Sequence, residues 1–225
     1  MRKFIPVAAA IATAGSVVAL PVALAYAASP VHVLTIKKVG GPAVRANAVL
    51  KSGLAKGTSA VFSLPTVIGT VKLTCKSAAW SSTVRRNPVK RGTATESLTA
   101  IQVSKCTLST SAATLKSIKA ADLPYKVSVS DASGFPVTVS GTSKTMPLKF
   151  TVVVTAGMTN VKCNYKAASI SGNASNTGSK ITFSKQKFVK AAGSNSLCKG
   201  PVHFSATFGP VKDTSVTNSP HVFVN

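Results

Sequence analysis

The sequence predicts an all-β protein. The fold expected is an antiparallel β-sandwich or barrel-like domain with two pseudo-repeated halves, behind an N-terminal signal helix. Three observations predict it. Short runs rich in Val, Thr, Phe and Ser alternate apolar and polar residues, bounded by Gly, Pro, Asn and Ser. Beyond the first 27 residues no segment sustains a 3.6-residue period. Four cysteines fall in two pairs of similar spacing.

The first 27 residues read as a signal peptide. Arg2 and Lys3 form a positive head, residues 4–24 form an apolar stretch, and Ala25-Tyr26-Ala27 is a small-residue cleavage site. Pro6, Gly15 and Pro21 interrupt the stretch, which argues against a membrane-spanning helix. This leader has no Arg-Arg pair, so the general secretory route is expected, with cleavage after Ala27. The exported domain is then 28–225, secreted or cell-wall-associated, with no membrane insertion of the mature chain. No cysteine near the cleavage site invites a lipid anchor. Leu64-Pro65-Thr66 lies too far from the end for a sortase signal.

The strands follow in order. Residues 31–36 open the domain, followed by 60–64, 70–75, 80–84 and 94–103. Residues 126–130 alternate cleanly, with Val127 and Val129 on one face and Lys126, Ser128 and Ser130 on the other; 136–140 do the same. The more apolar run 149–154 reads as more central. Strands are also expected at 161–166, 181–189, 203–208 and the last residues. A short helix is expected at 112–121.

Two stretches are faintly alike. Phe62 precedes Cys75, and Phe150 precedes Cys163, by the same spacing, and Gly69 and Gly157 each sit six residues before the cysteine. The pseudo-repeats would cover about 58–140 and 147–225. Four cysteines in an exported chain imply two disulfides, with three possible connectivities. The repeat favours pairing within each half, Cys75 with Cys106 and Cys163 with Cys198. Each bridge would close a loop worth about 3.5–4 kcal/mol of chain entropy.

A set of strings in order carries a resemblance. Val71-Lys72-Leu73-Thr74-Cys75 is followed by Asn87-Pro88 and Gly92-Thr93-Ala94-Thr95-Glu96-Ser97-Leu98-Thr99. Next come Leu123-Pro124-Tyr125, Val129-Ser130-Asp131-Ala132-Ser133-Gly134 and Cys163-Asn164-Tyr165. Ser171-Gly172-Asn173-Ala174-Ser175-Asn176, Ile181-Thr182-Phe183, Phe204-Ser205-Ala206-Thr207-Phe208 and Val211-Lys212-Asp213 complete it. The chain resembles a group of uncharacterised exported proteins of actinobacteria. The resemblance implies export, β structure and paired cysteines, and brings no catalytic residues. This chain departs from the group in being far more basic.

Catalytic chemistry finds few residues to build on. Glu96, Asp122, Asp131 and Asp213 are the four carboxylates, and no spacing pairs them for acid–base work. Asp131 and Asp213 read as turn residues bonding nearby amides. No G-x-S-x-G elbow or Gly-rich phosphate loop occurs, and Ser184 to Lys187 matches S-x-x-K in letters alone. His32, His203 and His221 lack ligand spacing, and no C-x2-C occurs, so neither metal nor cofactor is expected.

Charge is the remaining lead. Removing Arg2 and Lys3 from 27 basic residues leaves 25 against 4 acidic, a net charge of about +21. Arg85, Arg86, Lys90 and Arg91 place four cations in a seven-residue turn around Asn87-Pro88. Lys185 and Lys187, with Lys190, form a second group, and Lys37-Lys38 a third. The function expected is that of a non-catalytic exported β protein holding polyanions on basic loops. Anionic cell-wall polymer and extracellular nucleic acid are the partners considered. The alternatives are a hydrolase built on Asp or His groups, and a carrier of small ligands in an apolar cleft between sheets.

Overall fold

The structure is a computed structural model. It describes residues 30–66 and 69–225, so the predicted signal peptide lies outside the described residues. Fifteen strands are described, and no residue among them is helical. They are β1 (Leu34–Ile36), β2 (Val49–Gly53), β3 (Ala60–Thr66), β4 (Gly69–Arg86), β5 (Thr93–Leu108), β6 (Ala113–Ala121), β7 (Tyr125–Ser130) and β8 (Pro136–Ser140). Then follow β9 (Leu148–Ala156), β10 (Thr159–Ala167), β11 (Ser169–Ser175), β12 (Lys180–Lys190), β13 (Val202–Phe208), β14 (Lys212–Asp213) and β15 (Val222–Val224).

Eight of them close a barrel. Its order is β11-β8-β7-β5-β4-β3-β13-β12, and β12 pairs back onto β11 through Gly172↔Phe183 and Ala174↔Ile181. Every pairing is antiparallel. A second sheet branches off: beyond Phe188, β12 passes from β13 to β10, pairing at Tyr165↔Lys190, and β9 and β6 continue outward from β10. β2 adds to the lower part of β4, β14 adds to β2, and β1 pairs β15 separately.

Alternation explains which way each strand faces. In β7, Tyr125, Val127 and Val129 are buried while Lys126 is exposed; in β10, Val161, Cys163 and Tyr165 are buried while Lys162 and Lys166 are exposed. Apolar residues inside and lysine outside is the reverse of a membrane barrel, whose apolar band faces out. The inward residues form one continuous core. Its centre is aromatic: the Phe62 ring lies 5.2 Å from Phe150 and 4.8 Å from Phe204, and Phe150 meets Phe188 edge-on at 4.9 Å. Such tilted and edge-on pairs suit the ring quadrupoles.

Cys75 is bonded to Cys106 across the β4–β5 ladder. Cys163 on β10 is bonded to Cys198 in the loop between β12 and β13. The two similar stretches both become hairpins, β3–β4 and β9–β10, but in different register. Phe62 pairs Leu73, two residues before Cys75, whereas Phe150 pairs Tyr165, two residues after Cys163.

Two sequence expectations are corrected. The helix at 112–121 is strand β6, laddered onto β9 with a bulge between Leu115 and Ser117. That bulge breaks the period-two pattern and makes the segment read as non-strand. The runs 70–75 and 80–84 are one 18-residue strand, β4, which β3 covers first and β2 covers next.

Candidate functional site

The turn at Arg85–Arg91 joins β4 to β5. A bulge between Val84 and Arg86 ends the ladder, and both arginines are exposed. The loop beyond is pinned from three sides. The Asn87 carboxamide accepts from Leu34 N at 2.8 Å and donates to the Leu34 and Val44 carbonyls, each at 2.8 Å. Pro88 O accepts from Val33 N at 2.9 Å, and Lys90 N donates to Val31 O at 2.7 Å. The Asp131 carboxylate accepts from Arg91 N, and from Gly92 N at 3.3 Å. Four cations therefore stand on an ordered platform, beside a shallow depression lined by Lys90, Arg91 and Asp131.

Lys185 and Lys187 lie elsewhere. Lys185 occupies a bulge in β12 at φ 48°, and its N–H donates to Ser205 Oγ at 2.9 Å. Lys187 pairs His203, which pairs Ser63, which pairs Lys72 on β4. Arg85 is thirteen residues further along β4, roughly 40 Å of strand at 3.3 Å per residue. The two predicted basic groups sit at opposite ends of the barrel and form no common site.

The Lys187 group instead joins residues that sequence reasoning passed over. Lys149 on β9 pairs Lys166 on β10, and Lys166 pairs Val189 on β12. Lys162 and Lys119 project from the same outer face, on β10 and β6. The result is a belt from Lys119 through Lys149, Lys166 and Lys187 to Lys72. Polar positions in alternating strands could have flagged Lys162, Lys166 and Lys72, but their adjacency needed the strand order. The opposite wall, β5-β7-β8-β11, is different: its outer rows run Thr95, Ser128, Thr138, Ser171 and Ser97, Lys126, Ser140, Ser169. It is hydroxyl-rich with a single lysine in those rows.

The acids do not balance the belt. Asp122 pairs Lys149 at 2.7 Å, both side chains more than a third exposed, and this is the one ion pair among the described residues. A surface pair of this kind contributes under about 1 kcal/mol. Asp131 serves the amides above, and buried Asp213 accepts from Ser215 N at 2.9 Å. Glu96 is 4 % exposed, inside the barrel, accepting from Ser82 Oγ. Burial pushes its carboxyl group up from the usual value, and the Ser82 hydrogen bond offsets part of that. Burial also pushes the Tyr165 phenol up to about 12. The four carboxylates thus stand on separate elements, each already engaged. His32 Nδ1 bonds the Asn87 carbonyl at 2.7 Å. Among the described residues no three His, Cys, Asp or Glu side chains gather in a metal-binding group.

Two disulfides are typical of extracellular proteins, and no helix among the described residues is long and apolar enough to cross a membrane. No family model matches the chain, and neither curated proteins nor solved structures give a significant match.

Proposed function

We propose that this is a non-catalytic, secreted or wall-associated β-barrel protein that binds anionic cell-wall polymer by charge. The lysine belt is the main surface and the Arg85–Arg91 platform a second, separate one. The observation that carries the reading is the lack of compensation: the 25 basic residues beyond the leader share one ion pair among the described residues. Two lysines even stand opposite each other across strands, Lys51 and Lys212. Like charges in such positions destabilise a sheet, and a bound polyanion relieves them. The exported setting rests on the leader pattern and the oxidised cysteines.

Wall polymer is favoured over nucleic acid by the aromatic residues. Phe62, Trp80, Phe150, Phe183, Phe204 and Phe208 are buried, and among the described residues no aromatic ring is one of the exposed large apolar side chains. Single-stranded nucleic acid is usually held by stacking on exposed rings.

The test is retention of residues 28–225 on purified anionic wall polymer across a salt series. Binding should fall linearly in log–log form with salt. Replacing Lys72, Lys166 and Lys187 by Gln should flatten the slope by roughly 2–3. Replacing Arg85, Arg86, Lys90 and Arg91 by Gln should flatten it independently. Salt-insensitive retention, or unchanged slopes in both variants, sinks the proposal; tighter binding to single-stranded DNA than to wall polymer replaces the partner.

A further inference from the structure

The chain passes between barrel and branching sheet at two neighbouring places. Residues 141–147 lead from β8 to β9, and Ala168 alone separates β10 from β11. The two crossings run side by side: Ser140 pairs Ser169 on the barrel side, and Leu148 pairs Ala167 on the branch side. Gly141 N donates to Ala168 O at 3.4 Å and links them. A Cβ on Gly141 would stand 1.9 Å from Met146 O, so only glycine lets the 141–147 loop close this tightly.

Between loop and corner lies an open groove of about 380 Å³. Small-ligand sites span about 300–1,000 Å³. Pro147, Ala167, Ala168 and Val189 give the groove an aliphatic lining. Lys144 from the loop and Lys166 from β10 line it as well, and both are exposed. Val189 is the ladder partner of Lys166 and is 43 % exposed, so the two share the outer face of the sheet. Among the described residues no acidic or aromatic side chain lines the groove, and neither of its lysines pairs with an acid. Lys149, across from Lys166 on β9, is held by Asp122 and stands outside the site.

We infer that this groove seats one repeat of the wall polymer, and that the repeat is an acyclic polyol phosphate. The inference rests on the polymer reading above and gives it a chemical class. Two uncompensated ammonium groups on one concave surface call for an anion. Lysine holds phosphate as a point charge, whereas the planar fork of arginine suits carboxylates, and no arginine lines the groove. The lining offers no aromatic face on which a flat ring could stack. It offers Pro, Ala and Val between cations, which matches a chain of alternating aliphatic carbons and phosphates. Lys187, two residues before Val189 on the same outer face, stands about 7 Å further along, where the next phosphate would pass.

The experiment titrates glycerophosphoglycerol, a single acyclic phosphodiester, into residues 28–225 and follows backbone amides by NMR at fixed moderate salt. Saturable shifts are expected at Ser143, Lys144, Ala168 and Val189. Glycerol should give none, and inorganic phosphate and glucuronate should bind more weakly. Lys144→Gln should weaken phosphodiester binding about tenfold, the loss of one charge-assisted contact. Lys51→Gln, which removes the same charge from β2, should not. Ala168→Glu puts a carboxylate into the lining and should abolish binding; should that variant not fold, Lys144→Glu on the exposed loop decides in its place. No saturable shift at these amides overturns the site, as does an equal loss in Lys144→Gln and Lys51→Gln. Equal or tighter binding of inorganic phosphate or glucuronate overturns the ligand class. Polymer retention without any phosphodiester response sinks the groove and leaves the polymer reading standing. A phosphodiester response with salt-insensitive polymer retention upholds the groove and sinks the polymer reading.

Discussion

The Ser82 hydroxyl donates to the Glu96 carboxyl group at 2.5 Å, both residues buried inside the barrel. Burial raises the Glu96 carboxyl above its ordinary value of 4.5. Below that value both folded and unfolded chains hold the proton, and the stability linked to it is fully present. As pH rises, the unfolded chain releases its proton first, and that stability is lost up to the raised folded value. Glu96→Gln keeps the shape and cannot ionise. Urea unfolding should find the variant equal to the parent near pH 4 and more stable near pH 8. A pH-independent difference would contradict the assignment.

Asn87 holds the basic turn to the body. Asn87→Ala removes three hydrogen bonds to the backbone of Leu34 and Val44. The Leu34 carbonyl keeps the Val44 amide at 3.0 Å, so the groups left unmatched are the Leu34 amide and the Val44 carbonyl, at a cost of about 1–3 kcal/mol. Hydrogen exchange at the Leu34 amide should quicken. Polymer binding through the turn should weaken although no cation has been removed. Unchanged exchange would mean that the contacts at Val33, Lys90 and Asp131 pin the turn without the Asn87 side chain.

Lys51 stands opposite Lys212 at the β2–β14 pair. Lys51→Glu turns repulsion into attraction and should stabilise the protein by about 0.2–1 kcal/mol. Thermal unfolding at low salt measures the gain. In about 1 M salt, where screening acts within roughly 3 Å, the gain should vanish.

The two disulfides should differ in what they protect. Cys75–Cys106 crosses a long ladder that already fixes the strands. Cys163–Cys198 ties β10 to a strandless loop at 191–201, otherwise held by contacts such as Asn195 N to Lys162 O at 2.9 Å. Replacing Cys163 and Cys198 by Ala should open that loop to protease while the barrel persists. The Cys75–Cys106 counterpart should lower stability, by about 2–5 kcal/mol at most, without creating a local cut site. Cleavage at 191–201 in both variants would show that the loop depends on global stability instead.

Much of the fold was legible because burial and alternation coincide. The expectation at 136–140 matches β8, and 126–130 matches all of β7 but Tyr125. What stayed hidden was closure. The strand that closes the barrel, β11, consists of Ser, Ile, Gly, Asn and Ala, a composition that reads as turn. It is a strand because β8 and β12 claim both its edges. Sandwich and barrel therefore could not be separated from sequence. The same holds for charge: Arg85–Arg91 and Lys185–Lys187 announce themselves as basic. Their separation, and the junction of Lys187 with Lys72 through His203 and Ser63, follow from strand order, which local pattern does not encode.

The ladder that completes the barrel joins Ser63 on β3 to His203 on β13, and β1 meets β15 through Leu34↔Val224. Neither pairing can form while the later strand is still being delivered. A chain threaded head first through a membrane would hold β1 and the open edge of β3 unmatched until nearly everything had emerged. Such distant pairing makes folding slow and leaves strand edges exposed meanwhile. The lysines that crowd this chain would then act before any ligand arrives, by keeping half-delivered copies from sticking to one another.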